Sequence, residues 1–334
     1  MYKVLLLAAL SLVRVVSVDN SAMTTLGHMR YGSQILTVQS VGGDPRGAPL
    51  TVTNIVRAQM ELDNFYAPGD LIIINPEEKI ARCHFRLPWI LGLFGVFAAA
   101  VCAFAGWTGL KALFSFALSC VAIWKLVVPL ALKGVNASLT AFIACAVLTA
   151  AIMYLVGGFT RKAYVAFLGA MLGVVAALLF SWLVGLILGV NGATLPFAQT
   201  LIYSGLEGIN LADIFVAATV IAASGAMMDL AMDIAAGLDE VAHHNPNLSF
   251  KELFASGIRI GKAMVGTMTT TLLLAYSGGY LTLLMVFAAQ GTDPLIFINS
   301  PIVLAEVAKT LVGSFAIVLV APFTALVAAW RYHK

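Results

Sequence analysis

From Leu87 onward the chain carries one long apolar run after another, and no other feature narrows its fold as far. A helix rises about 1.5 Å per residue, so roughly 20 apolar residues match a hydrocarbon layer of about 30 Å. Runs of that kind lie near residues 88–106, 110–132, 137–157, 163–190, 211–235, 262–288 and 303–329. They predict an all-α polytopic membrane helix bundle of about seven transmembrane helices over residues 88–330. Composition agrees, with 61% hydrophobic and only 10% charged residues, where soluble domains carry roughly a quarter charged. The net charge of +3 is too small to point to a nucleic-acid partner.

Ahead of the bundle the pattern changes. Residues 1–22 open with Lys3 and an apolar stretch from Val4 to Val13 that Arg14 interrupts. Ten residues are too few to cross a bilayer, so the segment reads as signal-like or as a short anchor. Residues 33–86 then alternate with a period of two at SQILTVQSV, PLTVTNIV and GDLIIIN, separated by the turn formers GGDPRGAP and YAPGD. These are strand signals, and they predict a small β-barrel-like N-terminal domain.

Orientation follows from Lys and Arg in the connections. Lys111, Arg161, Lys162, Lys251, Arg259, Lys262, Arg331 and Lys334 fall after odd-numbered spans or in the tail, while the intervening connections hold only Lys133. The positive-inside rule therefore predicts a cytoplasmic C-terminus in the cell membrane, and an odd span count puts the β-domain outside. Arg82 and Arg86 run against the pattern, but they belong to a longer folded segment, where the rule weakens.

Polar groups inside the apolar body are the candidate functional residues. Asp229 and Asp233 lie one helical turn apart on a stripe shared with Gly225, Ala236 and Glu240. An ionised Asp near a helix centre costs roughly 2.5–3.5 kcal/mol on insertion scales, which predicts that the stripe faces protein rather than lipid. Two roles are open: the carboxylates bind a cation or exchange a proton, or Asp229 pairs with a donor that locks the bundle while Asp233 is solvated. Lys125, mid-span, either snorkels or serves as a partner for Asp229. Thr267, Thr270 and Thr271 either line a polar path with Ser277 or bond back to their own helix. The adjacent Gly278 and Gly279 suit a kink or a short unwound stretch. Glu306 and Lys309, three residues apart, suit an ion pair.

Ser249 and Glu252 form a capping-box pattern, which predicts an amphipathic cytoplasmic helix over about residues 249–261. His243 and His244 are neighbours with poor chelating geometry. The cysteines Cys83, Cys102, Cys120 and Cys145 show neither CxxC nor Cys/His spacing, so no metal site or cofactor is expected.

The block GAMMDLAMDIAAGLDEVAHHNPNLSFKELFASGIRIGKAMVGTMTTTLLLAYSGG (225–279) resembles the signature of the YibE/F family of bacterial multi-pass membrane proteins. Similar segments are TVTN and PGD in the β-domain, GLKALFSFAL, PLALKG, GGFTRKAYVAFLGAMLG and LVGSFAIVLVAPFTALVAA, so the resemblance covers about residues 35–329. It implies an integral membrane protein of the cell envelope with an outer soluble domain, and no settled activity.

Two functions compete. One is a gradient-driven transporter or permease of a small solute or ion, using the intramembrane carboxylates; no GxxxxGK[ST] motif is present for ATP-driven transport by this chain alone. The other is a non-transport envelope protein whose outer β-domain binds a partner. An enzyme is disfavoured, since neither HExxH nor GxSxG occurs. Expected partners are the lipid bilayer and a second copy or second membrane subunit.

Overall fold

The computed structural model describes residues 11–41, 49–206 and 208–333. The chain divides into two compact units, Met1–Ala100 and Val101–Lys334.

In the first unit the period-two segments form strands β1 (Ser11–Asp19), β2 (Met23–Leu26), β3 (Met29–Ser40), β4 (Leu50–Arg57), β5 (Leu71–Asn75) and β6 (Ile80–His84). β1 pairs with both β3 and β5, which closes a five-stranded barrel through β4 and β6, and β2 extends the edge of β3. Among the described residues the one parallel contact joins Thr53 of β4 to Ile80 of β6. Alternation puts Val13, Val15, Leu36, Val38, Ile72 and Ile74 inside.

The domain therefore begins earlier than residue 33. Part of the segment read as leader or anchor is β1, whose Val13 and Val15 are buried while Arg14 and Val16 are exposed. Its strand alternation was hidden because it continues directly from an apolar run. The rest of that run, up to residue 10, and residues 42–48 of the GGDPRGAP turn lie outside the described residues.

The barrel interior also holds a polar knot. Gln34 Oε1 accepts from Asn54 Nδ2 (2.9 Å) and from the Tyr66 amide (3.2 Å), and Gln34 Nε2 donates to Asn20 Oδ1 (2.8 Å). Asn54 donates as well to the Asn64 carbonyl (2.6 Å). Asn54 is the last residue of TVTN, so that motif ties the loop after β4 to the barrel.

The helices are α1 (Leu87–Ala122), a π-helical turn (Ile123–Val127), α2 (Val128–Leu132), α3 (Ala137–Gly157), α4 (Arg161–Leu188), α5 (Ala198–Tyr203), α6 (Leu211–His244), α7 (Phe250–Gly279), α8 (Leu281–Ala289), α9 (Pro294–Asn299) and α10 (Pro301–Tyr332). Five stretches are long and apolar enough to cross a membrane: Leu87–Leu132, α3, α4, α6 and α10. A sixth candidate is α7 with α8, bent by 60°.

The 46-residue stretch Leu87–Leu132 would run about 69 Å if straight, over twice the bilayer core. It is not straight. Gly106 takes φ 54° and ψ −128°, and a Cβ on Gly109 would lie 2.5 Å from the Val101 carbonyl oxygen. In a straight helix residues eight apart are separated by about 12 Å along the axis. The backbone therefore folds back at Gly106, where the sequence reading divides its first two spans.

α4, α6, α7 and α10 pack around a core rich in small residues. A Cβ on Gly169 would stand 2.2 Å from Thr324, on Gly173 2.2 Å from Val320, and on Gly257 2.6 Å from Ala325. Such close approach lets dispersion hold helices together where lipid supplies no hydrophobic drive. The amphipathic segment expected over 249–261 is not a separate surface helix. It forms the first turns of the 30-residue α7, capped by Ser249 and Glu252, and its apolar face with Leu253, Gly257 and Gly261 is buried against helices. Nothing in its sequence breaks the helix before Gly278.

Candidate functional site

Two polar zones lie within the membrane-length helices, and they are built in opposite ways. The first is at the break after α7. Gly278 and Gly279 end that helix without positive φ and with open space where a Cβ would stand, so the bend needs no left-handed residue. Two adjacent glycines simply weaken the helix there. Tyr280 follows, its amide donating to the Ser277 carbonyl at 3.1 Å, and α8 departs at 60°.

Against this bend stands the second turn of α10. Its Glu306 is 7% exposed and accepts from Lys309 Nζ at 2.7 Å on one carboxylate oxygen and from the Tyr280 hydroxyl on the other. Lys309 Nζ also lies 5.6 Å from the centre of the Phe215 ring, at cation–π range. Beside the pair a cavity of about 310 Å³ is lined by Ser277, Tyr280, Phe297, Val303, Glu306 and Thr310. The Tyr276 hydroxyl is buried without a hydrogen-bond partner among the described residues.

A carboxylate and an ammonium in so apolar a place are tolerable because each answers the other and the tyrosine satisfies a further lone pair. The arrangement can hold a proton or a cation only by exchange: a competitor must replace Lys309 or Tyr280.

The second zone is the acidic stripe of α6. The expectation that Asp229 and Asp233 sit in the protein interior is not met. Both are exposed on the chain's surface, and among the described residues neither makes a hydrogen bond or an ion pair. The reason lies in the register of α6: Met227, Leu230, Ala231 and Ile234 fill the core, which turns 229 and 233 outward.

Ile234 lies 3.3 Å from where a Gly261 Cβ would stand, and Ala223 and Leu272 both border Gly313. α6 and α7 therefore run antiparallel, with Asp229 about level with Gly266 and Thr267. Thr267, Thr270 and Thr271 are exposed too, and each hydroxyl donates to its own helix, to the carbonyls of Met264 (2.9 Å), Gly266 (3.0 Å) and Thr267 (2.9 Å). Gly225 and Gly266 have nothing within 4 Å of a Cβ position, so this side is open.

Lys125 does not meet Asp229. It sits in the π-helical turn, exposed and without an ion pair among the described residues, while Ile123 and Val127 on either side line a groove with Cys145, Ile221 and Gly225. The extra residue in a π turn shifts the facing of the side chains around it. His244 meets Glu240 at 2.9 Å on an exposed surface and the edge of the His243 ring at 5.8 Å between centroids, and no group of three or more His, Cys, Asp or Glu among the described residues could hold a metal.

Sequence reasoning missed Tyr280, Phe215 and Asp213. Tyr280 carried a signal, following the glycine pair as the next polar group. Asp213 carried none: in the first turn of α6, it accepts the amides of Ala137 and Ser138 (3.3 Å) at the start of α3, 76 and 75 residues away in sequence. It fills that helix terminus from outside and so joins α3 to α6.

A protein-family model described as YibE/F-like protein matches residues 93–334. No curated protein and no solved structure matches the chain.

Proposed function

Because the chain belongs to the YibE/F-like family, whose matched region is the helical body, we propose that this body is a gradient-driven transporter or permease of a small solute or ion. The observation that carries the proposal is the broken α7–α8 helix set against the buried Glu306–Lys309 pair, with a cavity at the junction. Interrupted helices beside ionisable groups recur where membrane proteins bind what they move, since freed backbone and fixed charge can take over a solute's hydration. Asp229 and Asp233 would act at the open side of α6, where a cation arriving from outside the chain meets two carboxylates with no competing donor.

The same proposal places the chain in the cell membrane with seven spans, the barrel outside and the C-terminus cytoplasmic. The reversal at Gly106 supports the count by splitting the first long stretch. The Lys and Arg pattern of the connections supports the orientation. The alternative, an envelope protein whose barrel binds a partner without transport, draws on the barrel's own buried core and exposed end.

Proteoliposomes loaded with a pH-sensitive dye and given gradients of small mono- and divalent cations test the reading. Dye response with the native chain that is lost in Glu306→Gln and reduced in Asp229→Asn is the expected result. No response to any gradient, or a response that both variants leave intact, overturns it.

A further inference from the structure

The barrel has two unlike ends. At one, the β5–β6 turn carries exposed Glu77, Glu78 and Lys79. At the other, the β2–β3 hairpin tip exposes Leu26 (71%) and Met29 (53%), and the loop after β4 exposes Met60 (79%). These two tips belong to one surface: Arg30 lies 5.4 Å above the ring of Phe65, and Tyr31 at the base of the hairpin pairs with Arg57, where the loop begins.

This is also the end from which the chain enters the membrane. His84, the last residue of β6, has Nε2 3.1 Å from the Phe65 carbonyl, its ring 4.7 Å from that of Tyr66, and α1 starts at Leu87. Trp89, 83% exposed in the first turn of α1, is the residue type that settles at the headgroup level.

Apolar tips with arginines beside them, at the end of the barrel from which five residues of chain lead from His84 to Trp89, have one occupant close at hand. We propose that this end of the barrel rests on the phospholipid surface, with Leu26, Met29 and Met60 among the headgroups and Arg30, Arg57 and Arg86 beside their phosphates. The cations are exposed. The nearby acids are Glu61, Asp63, held by the amides of Arg57 (3.0 Å) and Gln59 (2.7 Å), and Asp70, held by the Ala67 amide (2.8 Å) and 3.8 Å from His84 Nδ1. Apolar side chains flanked by Arg are the combination that binds interfaces by burial and by attraction to anionic lipid together. The inference stands apart from the transport reading, since it concerns only the barrel and the start of α1.

The test uses the full chain in lipid nanodiscs with the four native cysteines replaced by Ala. A fluorophore is attached through Met29→Cys, Met60→Cys or Glu77→Cys, and nitroxide lipids serve as quenchers. Quenching several-fold stronger at 29 and 60 than at 77, and stronger in phosphatidylglycerol than in phosphatidylcholine discs, is expected. Equal, weak quenching at all three sites overturns the proposal. Should the labelled variants misfold, the native chain in the same discs is treated with hydrogen peroxide, and Met29 and Met60 are followed by mass spectrometry. Oxidation several-fold slower than free methionine supports lipid cover. Oxidation at the free rate overturns it, as does protection that vanishes when the discs are diluted to one chain each, which would mean that a second copy covers the tips.

Discussion

Glu306 and the pair Asp229–Asp233 have the same functional group in helices of the same apolar body, and the chain treats them differently. Glu306 is given two donors and a place at a helix break; the two aspartates are given none and face outward. Burying an ion is tolerable only when its partner is buried with it, so Glu306 is a fixed charge whose release requires Lys309 to move. A bare carboxylate at membrane depth costs roughly 2.5–3.5 kcal/mol when ionised. The two exposed aspartates, with no donor among the described residues, therefore leave room for something the chain does not itself supply. An enclosed charge is a finished device; an exposed one is half of a device. Mutation of the first should therefore cost stability as well as flux, mutation of the second flux alone.

The largest effect should come from breaking the enclosed pair. Glu306→Ala leaves Lys309 buried and unpaired and should cost about 3–5 kcal/mol, read as a lowered melting temperature in detergent. Lys309→Ala should cost a similar amount. The double variant should lose clearly less than the sum, because neither charge is then left alone. Asp229→Ala and Asp233→Ala should shift melting by no more than an exposed substitution does, about 0.5 kcal/mol. If the aspartate variants prove the less stable, the contrast between the zones is wrong.

The barrel offers the same contrast outside the helical body. Gln34 is satisfied on both ends of its amide, whereas the hydroxyl of Tyr66, a residue 4% exposed, has no partner among the described residues. Burial, with smaller contributions from Cys83 and Asp70, pushes the Tyr66 hydroxyl up from 10.0 to about 12. The folded barrel thus holds a proton that the unfolded chain gives up earlier. Its stability contribution is whole below pH 10 and is lost as pH rises through about 12, a difference of about 3 kcal/mol by linkage. Tyr66→Phe should remove that loss at high pH and be near neutral at pH 7, since it deletes an unsatisfied group. Circular dichroism from pH 9 to pH 12, native against variant, checks this.

Glycine substitutions sharpen the difference between closed and open faces. Gly173→Ala would put a methyl 2.2 Å from Val320 and 3.2 Å from Met227, and should cost about 1–3 kcal/mol by overpacking. Gly225→Ala and Gly266→Ala meet nothing within 4 Å and should be neutral or slightly stabilising, because Ala favours the helix by about 0.5–1 kcal/mol. Thermal melts separate the two classes. A Gly225→Ala chain that melts normally but loses cation flux would show that another surface approaches α6 at the acidic stripe.

How much of this was legible in the sequence depended on whether the determining interaction was local. The membrane body, the glycine break at 278–279, the Ser249 cap and the three-residue spacing of Glu306 and Lys309 all follow from residues within a turn or two of one another. The outward facing of Asp229 was not legible in the same way. Its stripe is acidic and small, and a stripe of that kind fits an interior as well as an exterior. Only the larger stripe through Met227, Leu230 and Ile234 decides, once α4 and α10 are packed against it. Tyr280 meeting Glu306 and Asp213 reaching α3 are long-range contacts without a periodic trace. β1 was masked because its first residues continue an apolar run, which conceals alternation.

The smallest effect belongs to the threonines. Thr270 and Thr271 donate to carbonyls four residues earlier, and such bonds return little because those carbonyls already serve the helix. Thr270→Ala and Thr271→Ala should therefore change melting by less than about 0.5 kcal/mol. That makes them clean probes of the open side: with stability unmoved, any fall in dye-reported flux must come from the exposed hydroxyl oxygens themselves, which stand about one helical turn from the level of Asp229. If flux falls in these variants as it does in Asp229→Asn, hydroxyls and carboxylates belong to one path along α6 and α7. If it falls only in the aspartate variant, the threonines are helix furniture and the open zone narrows to two carboxylates.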